Sequence, residues 1–238
     1  MFKCSALRQV ALAAALIAGM ALSPAKADTE TWDFLNPTGE LGVTQQNYLS
    51  SPSGLTLTAN GFAFGATTGI GGATPTIDFN TATNLFGKND TGAENGLGIS
   101  NAGRSGNTDN EITAGISFIR IQLPTGLLNP VLSQMGSTTD GEGWAIYGST
   151  SATSGYSLVA TGTTQLTDID LRPASCSLCT YYAFFATGTS GEGASNVLLH
   201  QITGVVSNVP LPGALPLFAT GIGLIGLLGM RRKRKTAG

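Results

Sequence analysis

The sequence predicts an all-β domain, an antiparallel β-sandwich of jelly-roll or lectin-like type, set between two membrane-directed ends. Three observations predict it. Glycine accounts for 33 of 238 residues, about twice its usual share, and Ser, Thr and Asn are also abundant, so turns are frequent. Between residues 28 and 208 the only lysine is Lys88, and long runs of Ala, Glu, Lys and Leu are missing, which removes the usual helix formers. Apolar and β-branched residues recur in strand-length clusters, separated by turn residues at spacings of about 8 to 20. Disordered low-complexity sequence would share the glycine content but not those clusters.

Taken in order, Thr29 to Leu35 alternates, with Trp32 and Phe34 on one face, and reads as the first strand. Asn36-Pro37-Thr38-Gly39 ends it. Leu55 to Ala59 alternates, Asn60-Gly61 is a hairpin signal and Phe62-Ala63-Phe64 resumes the alternation, so a hairpin is expected over Gly54 to Ala66. Residues 67–76 and 87–96 read as loops, 77–85 as short strand or coil, and Leu97 to Ser100 as a brief strand. Ile112 to Leu123 is expected as one core strand ending at Pro124, with Ile119 and Ile121 on one face and Phe118, Arg120 and Gln122 on the other. Turns at Pro124-Thr125-Gly126 and Asn129-Pro130 bracket Leu127 and Leu128, and Val131 to Met135 follows as a short strand. Gly143 to Tyr147, Leu158 to Ala160, Leu166 to Leu171, Thr180 to Thr187 and Asn196 to Val206 bring the total to about ten strands. There is no internal repeat of fixed period, which disfavours a propeller or solenoid.

The two ends read differently. Met1 to Ala27 has the form of a secretory signal peptide. Lys3 and Arg8 give a basic start, Val10 to Leu22 is an apolar run of 13 residues, and Ala25-Lys26-Ala27 is a small-x-small cleavage site. Cleavage is expected between Ala27 and Asp28, and the apolar run is too short to span a bilayer. The domain between the ends, residues 28–208, holds all 14 acids against Lys88, Arg104, Arg120 and Arg172, a formal charge of −10. Such a surface repels nucleic acid and anionic lipid, so neither is expected as a partner.

At the other end, Leu211 to Met230 is 20 residues without a charge, about 30 Å as a helix, the thickness of a hydrocarbon core. A membrane helix is expected over about 212–230 of this stretch. Arg231, Arg232, Lys233, Arg234 and Lys235 follow it, and such a block stays in the cytoplasm, leaving the domain on the other side. The order of Val209-Pro210-Leu211-Pro212-Gly213, a glycine-rich apolar helix and this basic block resembles the PEP-CTERM sorting signal in its V-P-L-P-A variant, with Gly213 where Ala is usual. Upstream, G-L-G-I-S, then D-N-E-I-T, then a strand leading to the closing G-V-V-S-N is similar to common cargo domains of such proteins. The resemblance implies a Gram-negative, exopolysaccharide-producing bacterium. It also implies that an exosortase, a membrane-embedded cysteine transpeptidase-like enzyme, acts at residues 209–213. The chain would then pass from an inner-membrane intermediate, its domain in the periplasm, to the cell surface or extracellular space.

Candidate chemistry is sparse, and no catalytic residue is assigned. Cys176 and Cys179 are the cysteines left after cleavage, and in an oxidising compartment a disulfide between them is expected. A redox pair would need a helix N-terminus, and zinc two further ligands. His200, the one histidine, lies within a strand, and there is no G-x-S-x-G. Asp140 with Glu142, and Asp168 with Asp170, would serve a glycosidase only if opposed across a cleft. No cofactor is expected. Calcium is the one cation whose ligand types are at hand, in 88–95 and 107–111, with Asp109, Asn110 and Glu111 the candidate ligands and no EF-hand spacing. Trp144 and Tyr147 are candidates for stacking on a sugar, Trp144 fitting better as core. A non-enzymatic surface or matrix protein associated with exopolysaccharide is therefore expected. The alternatives are a secreted polysaccharide hydrolase and a plain single-span anchored binding protein.

Overall fold

In the computed structural model, which describes residues 26–63, 77–90, 93–100, 109–138, 142–188 and 195–208, the apolar clusters pair into two antiparallel sheets. In chain order the strands are β1 (Lys26–Asp33), β2 (Gly39–Glu40), β3 (Gln45–Leu49), β4 (Thr56–Ala63), β5 (Leu85–Asn89), β6 (Asn95–Ile99) and β7 (Ile112–Thr113). They continue with β8 (Ser117–Gln122), β9 (Leu127–Gly136), β10 (Gly143–Ser149), β11 (Ser157–Gly162), β12 (Ile169–Asp170), β13 (Tyr181–Thr187) and β14 (Asn196–Asn208). Among the described residues there is no α-helix, only a 3-10 turn at Ala174–Cys176. The chain divides into the unit Asp28–Val206, which carries the two sheets but for the outermost residues of β1 and β14, and a second unit made of the two ends, nearly all of it outside the described residues.

One sheet runs β12-β9-β14-β6-β5-β2, with β1 and β7 also paired to β14, and the other runs β11-β10-β13-β8-β4-β3. Alternation decides what each strand buries. Leu57 and Ala59, Ile119 and Ile121, Tyr182 and Phe184, and Trp144 and Ile146 point inward from the six-stranded sheet. They meet Trp32, Leu97, Ile99, Val131, Met135 and Leu199 of the other sheet in one core cluster. This architecture is all-β, with two antiparallel sheets, and is consistent with a β-sandwich.

The six-stranded sheet also buries part of its outer face. Phe62, Phe118, Ala145, Tyr147, Ala183 and Phe185 form a second cluster there, capped by Ile77, Phe79 and Tyr156. Phe118 stacks between Phe62 and Phe185, at ring centroid distances of 5.0 and 4.8 Å. Burial on both faces explains why Tyr181 to Thr187 reads as an unbroken apolar run rather than as an alternation.

Several expectations need correction. Residues 87–96 are not a loop but the β5–β6 hairpin, in which Lys88 pairs with Gly96 and Asn89 with Asn95, and Leu166 to Leu171 is a strand only at Ile169–Asp170. The Asn60-Gly61 pair is not a turn: β4 runs straight through it, and the hairpin is β3–β4, turning at residues 50–55. Gly61 is there for close approach, since a Cβ would lie 2.5 Å from the Thr83 carbonyl oxygen and 2.9 Å from Ile99 Cδ1. Gly61→Ala is therefore expected to lower stability by about 1–3 kcal/mol. A urea midpoint equal to that of the unaltered protein would contradict this close approach. The stretch Ile112 to Leu123 is not one strand either. Gly115, at φ +70°, turns the chain so that β7 pairs with β14 in one sheet and β8 enters the other. Nor does Asn129-Pro130 interrupt β9. The two residues bulge out between the pairs Leu128↔Val205 and Val131↔Gly204, where a proline's missing N–H costs no ladder bond.

Candidate functional site

Several residues singled out in the sequence have structural surroundings that account for them. Cys176 and Cys179 are joined in a disulfide, and both side chains are buried in the core. Trp144 is buried, and its Nε1 donates to the Thr164 carbonyl at 2.9 Å, whereas Tyr147 lies in the outer-face cluster. His200 is half-buried on β14, with Nδ1 3.1 Å from the Asn95 carbonyl oxygen. The Glu142 carboxylate accepts from the Asn196 N–H at the start of β14. Asp168 and Asp170 sit at the β12 edge, accepting from the Gln134 amide and the Arg172 N–H. Ala27 and Asp28 fall at the start of β1. Residues 209–213 and 231–235 and the expected membrane span lie outside the described residues, and among those described no helix is long and apolar enough to cross a membrane.

Polar residues of the β5–β6 hairpin and of 109–111 do come together. An open cleft of about 480 Å3 is lined by Thr38, Gly39 and Phe86 to Asp90 from one side, and by Asp109 and Asn110 from the other. Beside it the Lys88 ammonium lies 2.6 Å from Glu94 and also contacts Glu111. Ser137 Oγ donates to the second oxygen of Glu94 at 3.0 Å. Burial pushes the Glu111 carboxyl up to about 7, outweighing its contact with Lys88. Burial acts the same way on Glu94, but Lys88 and Ser137 hold its carboxyl below the usual value. Lys88, opposed by burial but flanked by two carboxylates, is held above its usual value. Two carboxylates thus share one ammonium, and the more buried one, Glu111, holds a proton the more readily. Of the candidate calcium ligands, Glu111 is engaged in this cluster, Asp109 accepts from the Asn196 amide at 3.2 Å, and Asn110 sits in the left-handed region at φ +55°. The ammonium of Lys88 stands where a cation would stand between Glu94 and Glu111. Among the described residues no three His, Cys, Asp or Glu side chains converge as a metal site.

A second arrangement lies on the outer face of the six-stranded sheet, next to its buried aromatic half. Strand register sets Gln45 beside Asn60, and Asn60 beside Arg120. Their side chains form a ladder: Asn60 Nδ2 donates to Gln45 Oε1 at 3.0 Å, and Arg120 Nη2 donates to Asn60 Oδ1 at 2.9 Å. Arg120 Nη1 donates to the Ala152 carbonyl at 3.0 Å, and its Cζ lies 5.1, 5.5 and 5.9 Å from the ring centroids of Phe62, Phe79 and Tyr181. Such contacts fix the guanidinium in place. Two register pairs further along, on the same face, Thr58 donates to Asn47 at 2.9 Å, and Gln122 is exposed. The sequence already placed Phe118, Arg120 and Gln122 on one face. The ladder is hidden in the sequence because Asn60 carries a hairpin signal and its partners lie on two other strands. Compared with protein-family models, with characterised proteins and with solved structures, the chain matches none.

Proposed function

We propose that this is an exported, non-enzymatic protein of the cell surface or extracellular matrix, sorted by an exosortase-type enzyme acting at Val209 to Gly213 and associated with exopolysaccharide. The observation that carries the reading is the three-part tail, with its sorting motif, uncharged 20-residue run and five-cation block. One structural fact supports it: the unit Asp28–Val206, which carries the sheets, begins at the expected signal cleavage site and ends before the motif. Cutting at both places would leave the sheets whole apart from the first two residues of β1. The chain order further supports a jelly-roll or lectin-like sandwich, since β8 to β10 and β12 to β14 pass alternately between the two sheets.

The non-enzymatic reading is supported by what the described acids do. A glycosidase needs two carboxylates facing each other across a cleft. Glu94 and Glu111 are instead both bound to Lys88, and Glu30, the other described carboxylate with a shifted acidity, accepts from Ser50 and Ser53. The test is cell fractionation of a variant with alanine at Val209, Pro210, Leu211 and Pro212. It is expected to stay in the inner-membrane fraction while the unaltered protein reaches the surface or the medium. Normal arrival of the variant at the surface would overturn the reading.

A further inference from the structure

We propose that the outer face of the six-stranded sheet binds an uncharged polysaccharide chain, through the amides of Asn60 and Gln122 and the ring of Tyr181. This rests on the reading of the protein as a non-enzymatic matrix protein and names the ligand class of its domain. The first argument is charge. None of the six strands β3, β4, β8, β10, β11 and β13 contains an Asp or Glu, and Arg120 is their single cation, although the domain carries −10. The acids therefore belong to the loops and to the other sheet. The charge of Arg120 is itself engaged, by Asn60, the Ala152 carbonyl and three aromatic rings. What the described residues of this part of the face offer is neutral hydrogen-bonding groups held in place by their neighbours. A polyanion would meet the field of the whole domain, whereas an uncharged chain would not.

The second argument is chemistry and order. An amide offers both donors and acceptors, which is what a sugar hydroxyl needs from a partner. Asn60 is held between Gln45 and Arg120 by bonds of 3.0 and 2.9 Å, so little side-chain freedom remains to be lost on binding. Gln122 is exposed, next to Thr58 on one side and Tyr181 on the other. Tyr181 is half-buried on the same face, which puts an aromatic ring beside the amides. A protein partner would call for an exposed apolar centre. The large exposed apolar side chains of this sheet, Leu49 and Leu158, stand instead on its two opposite edge strands.

The experiment is affinity electrophoresis of the protein purified from cells expressing the full chain, in native gels containing hydroxyethylcellulose, pullulan, galactomannan or alginate. Retardation is expected in at least one of the three uncharged polymers and not in alginate. Gln122→Ala alone, and Asn60→Ala with Gln122→Ala, are expected to weaken that retardation, the double variant by about tenfold. Gln134→Ala, on the other sheet, is expected to leave it unchanged. The single Gln122 variant removes an exposed side chain, so its fold is retained and its result stands if the double variant misfolds. Retardation by none of the uncharged polymers, retardation by alginate alone, or retardation untouched in both variants would each overturn the proposal. Sorting is read from fractionation and chain mass rather than from gel mobility, so either reading can fail without the other.

Discussion

Lys88→Met should lower the stability of the domain by about 3 kcal/mol at pH 7. Lys88 is the one ammonium between Glu94 and Glu111, and its side chain is only 20% exposed. Without it, two carboxylates crowd a buried site. Replacing the acid instead should cost far less: Glu111→Gln is expected to lose no more than about 1 kcal/mol at pH 7, because burial already favours its uncharged form. The pH dependence follows from the same cluster. In the folded protein Glu111 keeps its proton up to about 7, against the ordinary 4.5 of the unfolded chain. The folded state therefore holds more protons between these values, and stability falls as pH rises through that window. Glu94 works the other way, its contribution being present above 4.5 and lost as pH falls. Lys88 contributes below 10.5 and loses its contribution above it. Urea unfolding at pH 5 and pH 7 checks the Glu111 part of this. Lys88→Met should be less damaging at pH 5, where Glu111 is protonated, and Glu111→Gln should flatten the decline between the two. A Lys88→Met loss within about 0.5 kcal/mol, as for an ordinary surface position, would contradict the account.

Trp32→Ala is expected to cost about 3–5 kcal/mol. Trp32 is fully buried on β1, its ring against Gly204 of β14 and its Nε1 donating to the Leu55 carbonyl at 2.8 Å. It therefore ties the first strand of the expected mature chain to the central strand of one sheet and to the β3–β4 hairpin. Glu30, two residues earlier, reinforces the same tie through the Ser50 hydroxyl and the Ser53 N–H. Trp32→Phe keeps most of the packing and loses the hydrogen bond, so about 1–2 kcal/mol is expected. Thermal unfolding of the two variants checks the order. Equal losses would mean that the ring's packing is not what holds β1.

Much of this architecture was legible because alternation reports burial directly. Trp32 and Phe34, Leu57 and Ala59, and Ile119 and Ile121 all face the core as their spacing predicts. The misreadings fall on residues whose local preference is overruled by packing. Gly61 looks like a turn residue but serves close approach, and Pro130 looks like a strand breaker but sits in a bulge. Gly115 looks ordinary inside an apolar run, yet it carries the chain from one sheet to the other. The Lys88–Glu94–Glu111 cluster was half-legible: both stretches stand out for their polar residues, but their contact spans 23 positions and no local pattern announces it. The ladder from Gln45 to Arg120 links three strands for the same reason.

The sorting proposal is tested most directly by the intact mass of the protein released by cells with and without an exosortase-type enzyme. With the enzyme, the mass should correspond to a chain beginning at Asp28 and ending within or next to Val209 to Gly213. Without it, the chain should remain in the inner membrane at the mass that includes Arg231 to Lys235. A released protein that still carries the basic block, or the same mass in both strains, would contradict the account.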